Sequence, residues 1–501
     1  MGPMGHAFVL LSVCVKGTPM AMPGRRVGAF TLKPSIVPPD DKSAVRLHAG
    51  IVDDGEQVLS DTAGDDTNDR VGTNGAQTVL ESSVASSRYF EHRRLLIEEY
   101  LKLTGDRGGE AFGSSAAMSD KYIAIGAPGS NSSFIGKAVY LYSLSFDVVN
   151  SSFSVERLDV LQESLEDATY DYGASLALSG QTLVVGAPNS QAAGGAYIYQ
   201  AASNSESTVE FEMMKHVQAS SGSSGDDFGS SVAIHTDLIV VGAPGQNKVC
   251  VFKFATGAWS DEIVSLSVAL TSDGSKFGYS VAINENLIAV GAPYHADDSG
   301  CKGAVFVFRT DDHGWSWSDG LELKGGCGEE LGYAVGLYGN TLACGAPRND
   351  DDAINGGAAY VFSTHDGGLS WLPNTSEPLV SGSLDNSDFF GRALSIDHST
   401  LVVGAPFRNR PPNSGEAWFW TFSNGTWNLI SRLDSSDDGV RDQLGTSVAM
   451  HGGLSVLGAP GEEAAYIYDL QVVTNPTNQP TSQPTNRPTD QPTTQPTNRP
   501  T

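Results

Sequence analysis

Short runs in which apolar residues alternate with small or polar ones recur between about residues 95 and 470, and they predict β-strands, not helices. The most regular are aromatic and β-branched: Val139-Tyr140-Leu141-Tyr142, Val305-Phe306-Val307-Phe308 and Tyr466-Ile467-Tyr468. Two shorter stretches precede each, as in Ser231-Val232-Ala233-Ile234 and Leu238-Ile239-Val240-Val241, with only His235-Thr236-Asp237 between them. A fourth, more polar stretch follows, often opened by tryptophan, as at Trp259, Trp317, Trp371 and Trp427. Each unit therefore predicts one small antiparallel sheet of four strands.

The units form an internal repeat. An aromatic residue or leucine followed by glycine stands at Phe112-Gly113, Tyr172-Gly173, Phe228-Gly229, Phe277-Gly278, Leu331-Gly332, Phe390-Gly391 and Leu444-Gly445. A Gly-Ala-Pro triplet follows each, at Gly126 to Pro128, Gly186 to Pro188, Gly242 to Pro244, Gly291 to Pro293, Gly345 to Pro347, Gly404 to Pro406 and Gly458 to Pro460. The offset from the first residue of the pair to the glycine of the triplet is 14 in all seven units, and successive units start 49 to 60 residues apart. That period matches one four-stranded blade of a β-propeller. The predicted fold is all-β, a seven-bladed propeller of antiparallel four-stranded blades.

Local chemistry fits this reading. Inner strands converge on a central channel, where bulky side chains would collide, so Gly and Ala suit the inner pleat and Pro ends the strand because it has no N–H to donate. The residue two after the first glycine is small, with Ser175, Ser231, Ser280 and Ser447 in the serine form, and smallness is taken as the common property. Unit seven has no fourth stretch of its own. Leu95 to Leu103, upstream of unit one, is a strand-like stretch without a partner, so it is expected to complete blade seven and remove exposed edges.

Composition adds the ends and the charge. Residues 1–93 mix Gly, Ser, Thr, Asp and Pro without sustained periodicity and read as a disordered leader or propeptide. Within them Ala7 to Val15 has the length of a signal-peptide apolar core, although no Lys or Arg precedes it. Residues 94–470 form the propeller, and 471–501 a Pro-Thr stalk in which a Pro-Thr pair recurs every fourth residue from Pro476 to Pro500. Residues 95–470 carry 18 basic and 46 acidic groups, which is the whole net charge of −28. Such a field disfavours nucleic acid and anionic membranes and favours cations or basic protein surfaces. No apolar run reaches the roughly 20 residues that span a bilayer.

The seven units resemble FG-GAP repeats, the blades of the integrin α-chain head propeller and of many secreted and surface proteins. The resemblance covers about residues 95–470. It implies a non-catalytic, largely monomeric head, secreted or at the cell surface or wall. Such a head engages protein or glycan through the loops joining strand two to strand three and one blade to the next. Integrin-type Ca²⁺ loops of the Asp-x-Asp-x-Asp-Gly type between strands one and two are absent. His235-Thr236-Asp237 and Asn284-Glu285-Asn286 are too short to supply the six to eight oxygens that Ca²⁺ takes. No cofactor and no metal site is expected, weak Ca²⁺ binding by acidic loops aside. Thr310-x-Asp312-x-Gly314-x-Ser316-Trp317 and Thr364-x-Asp366-x-Gly368-x-Ser370-Trp371 are similar to the Asp-box hairpins of sialidase-type propellers. Both read as structural turns, with the carboxylate bonding the backbone and the Trp packed into the blade.

Candidate binding residues lie in loops after the triplets: Asp297 and Asp298 in unit four, Asp350, Asp351 and Asp352 in unit five, and Arg408 and Arg410 in unit six. Acidic and basic loops side by side would make a polarised face; the plain alternative is solvated loop charge. Neutralising these residues is expected to weaken partner binding with no change in melting temperature. A Cys301–Cys327 disulfide is expected, because both residues sit in connections that emerge on one face, whereas Cys250 and Cys344 fall in strands and read as buried thiols. Asn131, Asn150, Asn374 and Asn424 head glycosylation sequons. No catalytic residue is assigned. The second reading is a glycan-acting hydrolase at the channel mouth, for which a set of convergent carboxylates and arginines would be needed.

Overall fold

The computed structural model describes residues 93–474 apart from 130–136, 148–151, 163–170, 189, 191–192, 204–208, 221, 270–273, 297–299, 327, 376, 381–384, 409–413 and 435–440, with the side chains of 93–99, 147, 203 and 471–474 also left aside. The expected leader and stalk thus lie outside the described residues, except for Arg93 and for 471–474, which are strand.

Each repeat forms one antiparallel sheet, seven in all, and the described residues contain no helix. Blade one runs Ser115–Met118, Tyr122–Ala127, Ala138–Asp147 and Ser152–Gln162 from inside to outside. Blade four repeats this with Ser280–Asn284, Leu287–Ala296, Lys302–Arg309 and Leu321–Lys324. The outer strand is where the pattern varies. In blade three it is split into Ala258–Trp259 and Val264–Leu266, both paired to Lys248–Ala255. In blade five it shrinks to Leu372–Pro373 plus a single bridge from Leu379 to Ala359. Trp317 lies outside any strand. A polar edge strand has no second sheet to bury it, so its length is weakly specified.

The ring is closed by strands from the two ends of the propeller segment. Arg93–Thr104 pairs along Ala464–Thr474 and completes the sheet of Leu454–Ala459 and Ser447–His451. The expected Leu95–Leu103 strand is therefore present and longer by a few residues, with a register shift between Glu99 and Leu101. Closure does not remove exposed edges, however: every blade ends in an outer strand paired on one side only. What closure removes is the unpaired flank of Ala464–Thr474.

Inner strands of neighbouring blades touch in cyclic order, from blade one through blade seven and back to blade one. The repeat motifs form this seam. A Cβ on Gly126 would collide with the Gly173 carbonyl of blade two and with Ser115 Oγ. Gly186 meets Gly229 in the same way, and the series ends with Gly458 against Gly113. The small residue of the inner strand proves to be more than small. Ser115, Ser175, Ser231, Ser280 and Ser447 each donate their hydroxyl, at 2.6 to 2.8 Å, to the carbonyl of the next blade's Gly173, Gly229, Gly278, Gly332 and Gly113. Blades five and six carry Ala334 and Ala393 there and lack the bond. The residue before each seam glycine is fully buried: Phe112, Tyr172, Phe228, Phe277, Leu331, Phe390 and Leu444 are all 0% exposed. Most remaining core lies between sheets, as where Leu238, Val240 and Val251 pack on Ile288, Val290 and Phe306.

Candidate functional site

The turns between strands one and two and between strands three and four emerge at one end of every blade, here called the hairpin face. The connections from strand two to three and from blade to blade emerge at the other, the loop face. Of the seven predicted binding residues, the four that the structure describes, Asp350, Asp351, Asp352 and Arg408, belong to loop-face connections.

Asp297, Asp298 and Arg410 lie outside the described residues. Asp350, Asp351 and Asp352 are exposed in one loop. Two of these carboxylates are engaged by the loop itself: Asp350 Oδ1 accepts the Asn355 N–H at 2.6 Å, and Asp351 Oδ2 accepts from Asn349 Nδ2 at 3.0 Å. Asn349 is 1% exposed and also donates to Glu329, whose second oxygen accepts from Tyr360. Arg408 is not a surface charge. It is buried, with one bond of 2.7 Å to Asp388, which is fully buried, and a second contact of 2.8 Å to Glu416, while its guanidinium lies over the Trp418 ring. Burial pushes the Asp388 carboxyl up, with the Asp385 N–H and Arg408 holding it down. The expected polarised rim is thus not formed by Arg408, because that charge is already neutralised inside blade six.

The loop face brings together residues that the sequence reading passed over. The position after each seam glycine starts the inner strand at the channel mouth. It is small in four blades, at Ser114, Ala174, Ser230 and Thr446, and large in three consecutive ones, at Tyr279, Tyr333 and Arg392. The position after the triplet proline behaves alike, with Tyr294, Arg348 and Phe407 in the same three blades. The rings of Tyr279 and Tyr333 meet with centroids 4.8 Å apart, and Tyr294 stands edge-on to Tyr279. The Arg392 guanidinium lies between the Tyr333 ring at 5.2 Å and the Phe407 ring at 5.3 Å. It makes no hydrogen bond or close ion pair among the described residues; the carboxylate whose field it feels is Glu330, which is already bonded to Arg348 at 3.0 Å. Burial raises the Glu330 carboxyl and the phenols of Tyr279 and Tyr294. The signal was available in the sequence as a break in the small-residue rule of the repeat.

On the hairpin face a cleft of about 430 Å³ opens between blades three and four, lined by His235 to Leu238, Glu285, Asn286, Thr310, Asp311 and His313. The two Asp-boxes sit on this face and form the turns read from the sequence. Asp312 accepts the Ser316 N–H at 2.8 Å and the Ser316 hydroxyl, Thr310 Oγ1 accepts the Gly314 N–H, and Asp366 repeats the pattern with Ser370. Gly314 and Gly368, both at φ near 91°, lie against Leu238 and Leu287 of the preceding blade. Trp371 is buried and Trp317 half-buried.

One chain of groups looks nucleophilic by type. Ser275 Oγ is 3.3 Å from His295 Nδ1, and His295 Nε2 is 3.3 Å from Glu322. Ser275 is 0% exposed, so no carbonyl can approach its oxygen, and the set reads as a buried polar network. Among the described residues no three His, Cys, Asp or Glu side chains converge as a metal site. Cys301 is disulfide-bonded, Cys327 lies outside the described residues, and Cys250 and Cys344 are buried free thiols. Of the sequons, Asn131 and Asn150 are outside the described residues, Asn374 is half-buried and Asn424 is exposed.

The FG-GAP repeat model matches residues 212–253, 268–308, 325–362 and 379–419, each segment ending in the third strand of blades three to six, and the PT disordered repeat model matches 471–501. No curated protein matches the chain. Similar solved structures include a candidate 6-phosphogluconolactonase from Bacteroides uniformis, with 11% identity, TM-score 0.47, and coverage of 68% of this chain and 89% of that one. Another is Hsv2 from Kluyvelomyces marxianus, with 10% identity, TM-score 0.40, and coverage of 69% and 89%. Four of the seven blades, three to six, thus match the FG-GAP repeat, and residues 471–501 match the PT repeat.

Proposed function

We propose that the chain is a non-catalytic recognition module displayed outside the cell, a rigid propeller head on a Pro-Thr stalk that engages a protein or glycan with its loop face. The observation that carries this reading is the asymmetry of the channel mouth. Half-buried Tyr279, Tyr294, Tyr333, Arg392 and Phe407 cluster over blades four to six, while the equivalent positions elsewhere are small. Aromatic and arginine side chains with part of their surface still open are the residue types that anchor binding energy. The exposed sequon at Asn424 and the disulfide at Cys301 suit an oxidising, extracellular setting. The pairing proposed for Cys301 remains Cys327. Asp350 to Asp352 act in this reading as a shaped acidic loop beside the mouth, not as a cation cage.

The test is capture by the immobilised full chain from a glycan array and from an extracellular extract, beside the Tyr279→Ala/Tyr333→Ala double variant. Saturable capture that the variant loses at unchanged melting temperature supports the proposal. Capture that the variant retains, or hydrolysis of bound glycans by the wild type, overturns it.

A further inference from the structure

We infer that the channel mouth over blades four to six binds a carboxylate-bearing sugar, with the carboxylate on Arg392 and the pyranose ring against Tyr279. This inference rests on the recognition reading and narrows it to one ligand class.

Three observations carry it. First, Arg392 is half-buried against two rings, yet its guanidinium makes no hydrogen bond or close ion pair among the described residues, and the carboxylate within its field, Glu330, is taken by Arg348. Its donors are therefore free for a ligand, and the planar fork matches a carboxylate with two parallel hydrogen bonds. Second, the ring faces of Tyr333 and Phe407 that would attract a cation are already taken by Arg392, so the same cluster is a poor cage for a lysine or ammonium ligand. Third, Tyr279 and Tyr294 are half-buried phenols beside the arginine, one ring system away from it through Tyr333. A pyranose offers an apolar C–H face for such a ring and hydroxyls for the phenols. Ser114, Ala174, Ser230 and Thr446 leave the opposite half of the mouth without bulk, which gives a ring-sized ligand room to lie down.

Charge sets the size of the ligand. The chain carries −28 overall, so a long polyanion is repelled at a distance, while one or a few acidic residues are held locally by Arg392. A short acidic oligosaccharide fits both terms.

The experiment is calorimetric titration of the full chain with trigalacturonate and with its methyl ester, which removes the charge and keeps the rings. The acid is expected to bind at least about tenfold tighter than the ester. Arg392→Gln should bring the two within about twofold, and Arg392→Lys should restore only part of the difference, since a lysine keeps the charge but not the fork. Tyr279→Ala should weaken acid and ester alike. Melting temperatures of the variants separate lost contacts from lost folding, and wild-type discrimination between acid and ester reads the proposal without any variant. Equal binding of acid and ester overturns the inference. So does Arg392-dependent binding of a peptide carboxylate with no binding of trigalacturonate. In that last case the recognition reading stands; if the array and extract also show no Tyr279-dependent capture, both fall.

Discussion

Ser447 of blade seven donates its hydroxyl to the carbonyl of Gly113 of blade one at 2.8 Å, a bond that joins positions 334 residues apart in the chain. It is chemically the same bond that joins Ser231 to Gly278 inside the ring. Ser447→Ala should therefore cost about 1 kcal/mol, the usual net value of one buried hydrogen bond, and Ser231→Ala a similar amount. Gly458→Ala should cost more, about 3 kcal/mol, because the added methyl meets both Ser447 Oγ and the Gly113 carbonyl and the seam must open to admit it. Urea denaturation of the three variants checks the order.

Closure makes a second prediction. The Arg93–Thr104 strand covers the flank of Ala464–Thr474, and Lys102 pairs with Glu462 across that junction. A chain beginning at residue 105 should expose an apolar-backed edge and associate through it. A chain beginning at residue 93 should stay monomeric. Light scattering of the two decides: a monomeric 105 variant with an unchanged melting temperature would show that the strand does not seal the ring.

The fold was legible because it is written seven times. A fixed 14-residue offset between an aromatic-glycine pair and a triplet needs one geometry, since the pair glycine donates its N–H to the triplet glycine of its own unit, as Gly113 does to Gly126 at 3.0 Å, while the two face opposite seams. The candidate site was legible only in part, and for a related reason. Arg408 was read as a loop charge because its partners, Asp388 and Glu416, are 20 and 8 positions away and meet it only once blade six has folded. Tyr279, Tyr333 and Arg392 occupy a position inside the repeat that is small in the other four units, so the shared pattern does not display them. The informative quantity at the mouth is the departure from the repeat, not the repeat. The serine hydroxyls were undervalued similarly, since Ala334 and Ala393 at equivalent positions suggest that size alone matters, while the five serines each reach a neighbouring carbonyl.

The Asp-boxes predict a pH dependence. Hydrogen bonds from Ser316 and Thr310 hold Asp312 well below the usual carboxylate range, and those from Ser370 and Thr364 do the same for Asp366. A carboxylate depressed in the folded state binds fewer protons there than in the unfolded chain. Its contribution is therefore complete above the unfolded value of about 4 and is lost as pH falls through the folded one. Urea midpoints from pH 6 to pH 2.5 should drop for the wild type and drop less for Asp312→Asn/Asp366→Asn, with the two converging at the acid end. Parallel curves would show that these turns do not sense protons.

The two described sequons should differ in occupancy. Asn424 is exposed in the turn between Glu416–Ser423 and Thr426–Asp434, at φ 53°. Asn374 is half-buried, its N–H donates to Val361 at 2.8 Å, and its side-chain oxygen accepts from the Ser363 hydroxyl. In a glycosylating host, peptide mass mapping should find glycan at Asn424 and little at Asn374. The reverse pattern would mean that the Asn374 hairpin opens before modification.

Arg408 reverses the expectation that neutralising the loop charges leaves stability untouched. Asp388 has no exposed surface, and Arg408 is its charged partner at 2.7 Å. Removing the arginine leaves a buried carboxylate to be desolvated alone, which typically costs 3 to 5 kcal/mol, so Arg408→Ala should lower stability by about 4 kcal/mol. Because burial already pushes Asp388 up, losing the arginine should raise it further, and the variant should be relatively less impaired at pH 5 than at pH 8. Arg408→Ala/Asp388→Asn should recover part of the loss by removing the orphaned charge. Thermal unfolding of the single and double variants at both pH values checks this, and an Arg408→Ala melting temperature equal to the wild type would return Arg408 to the surface.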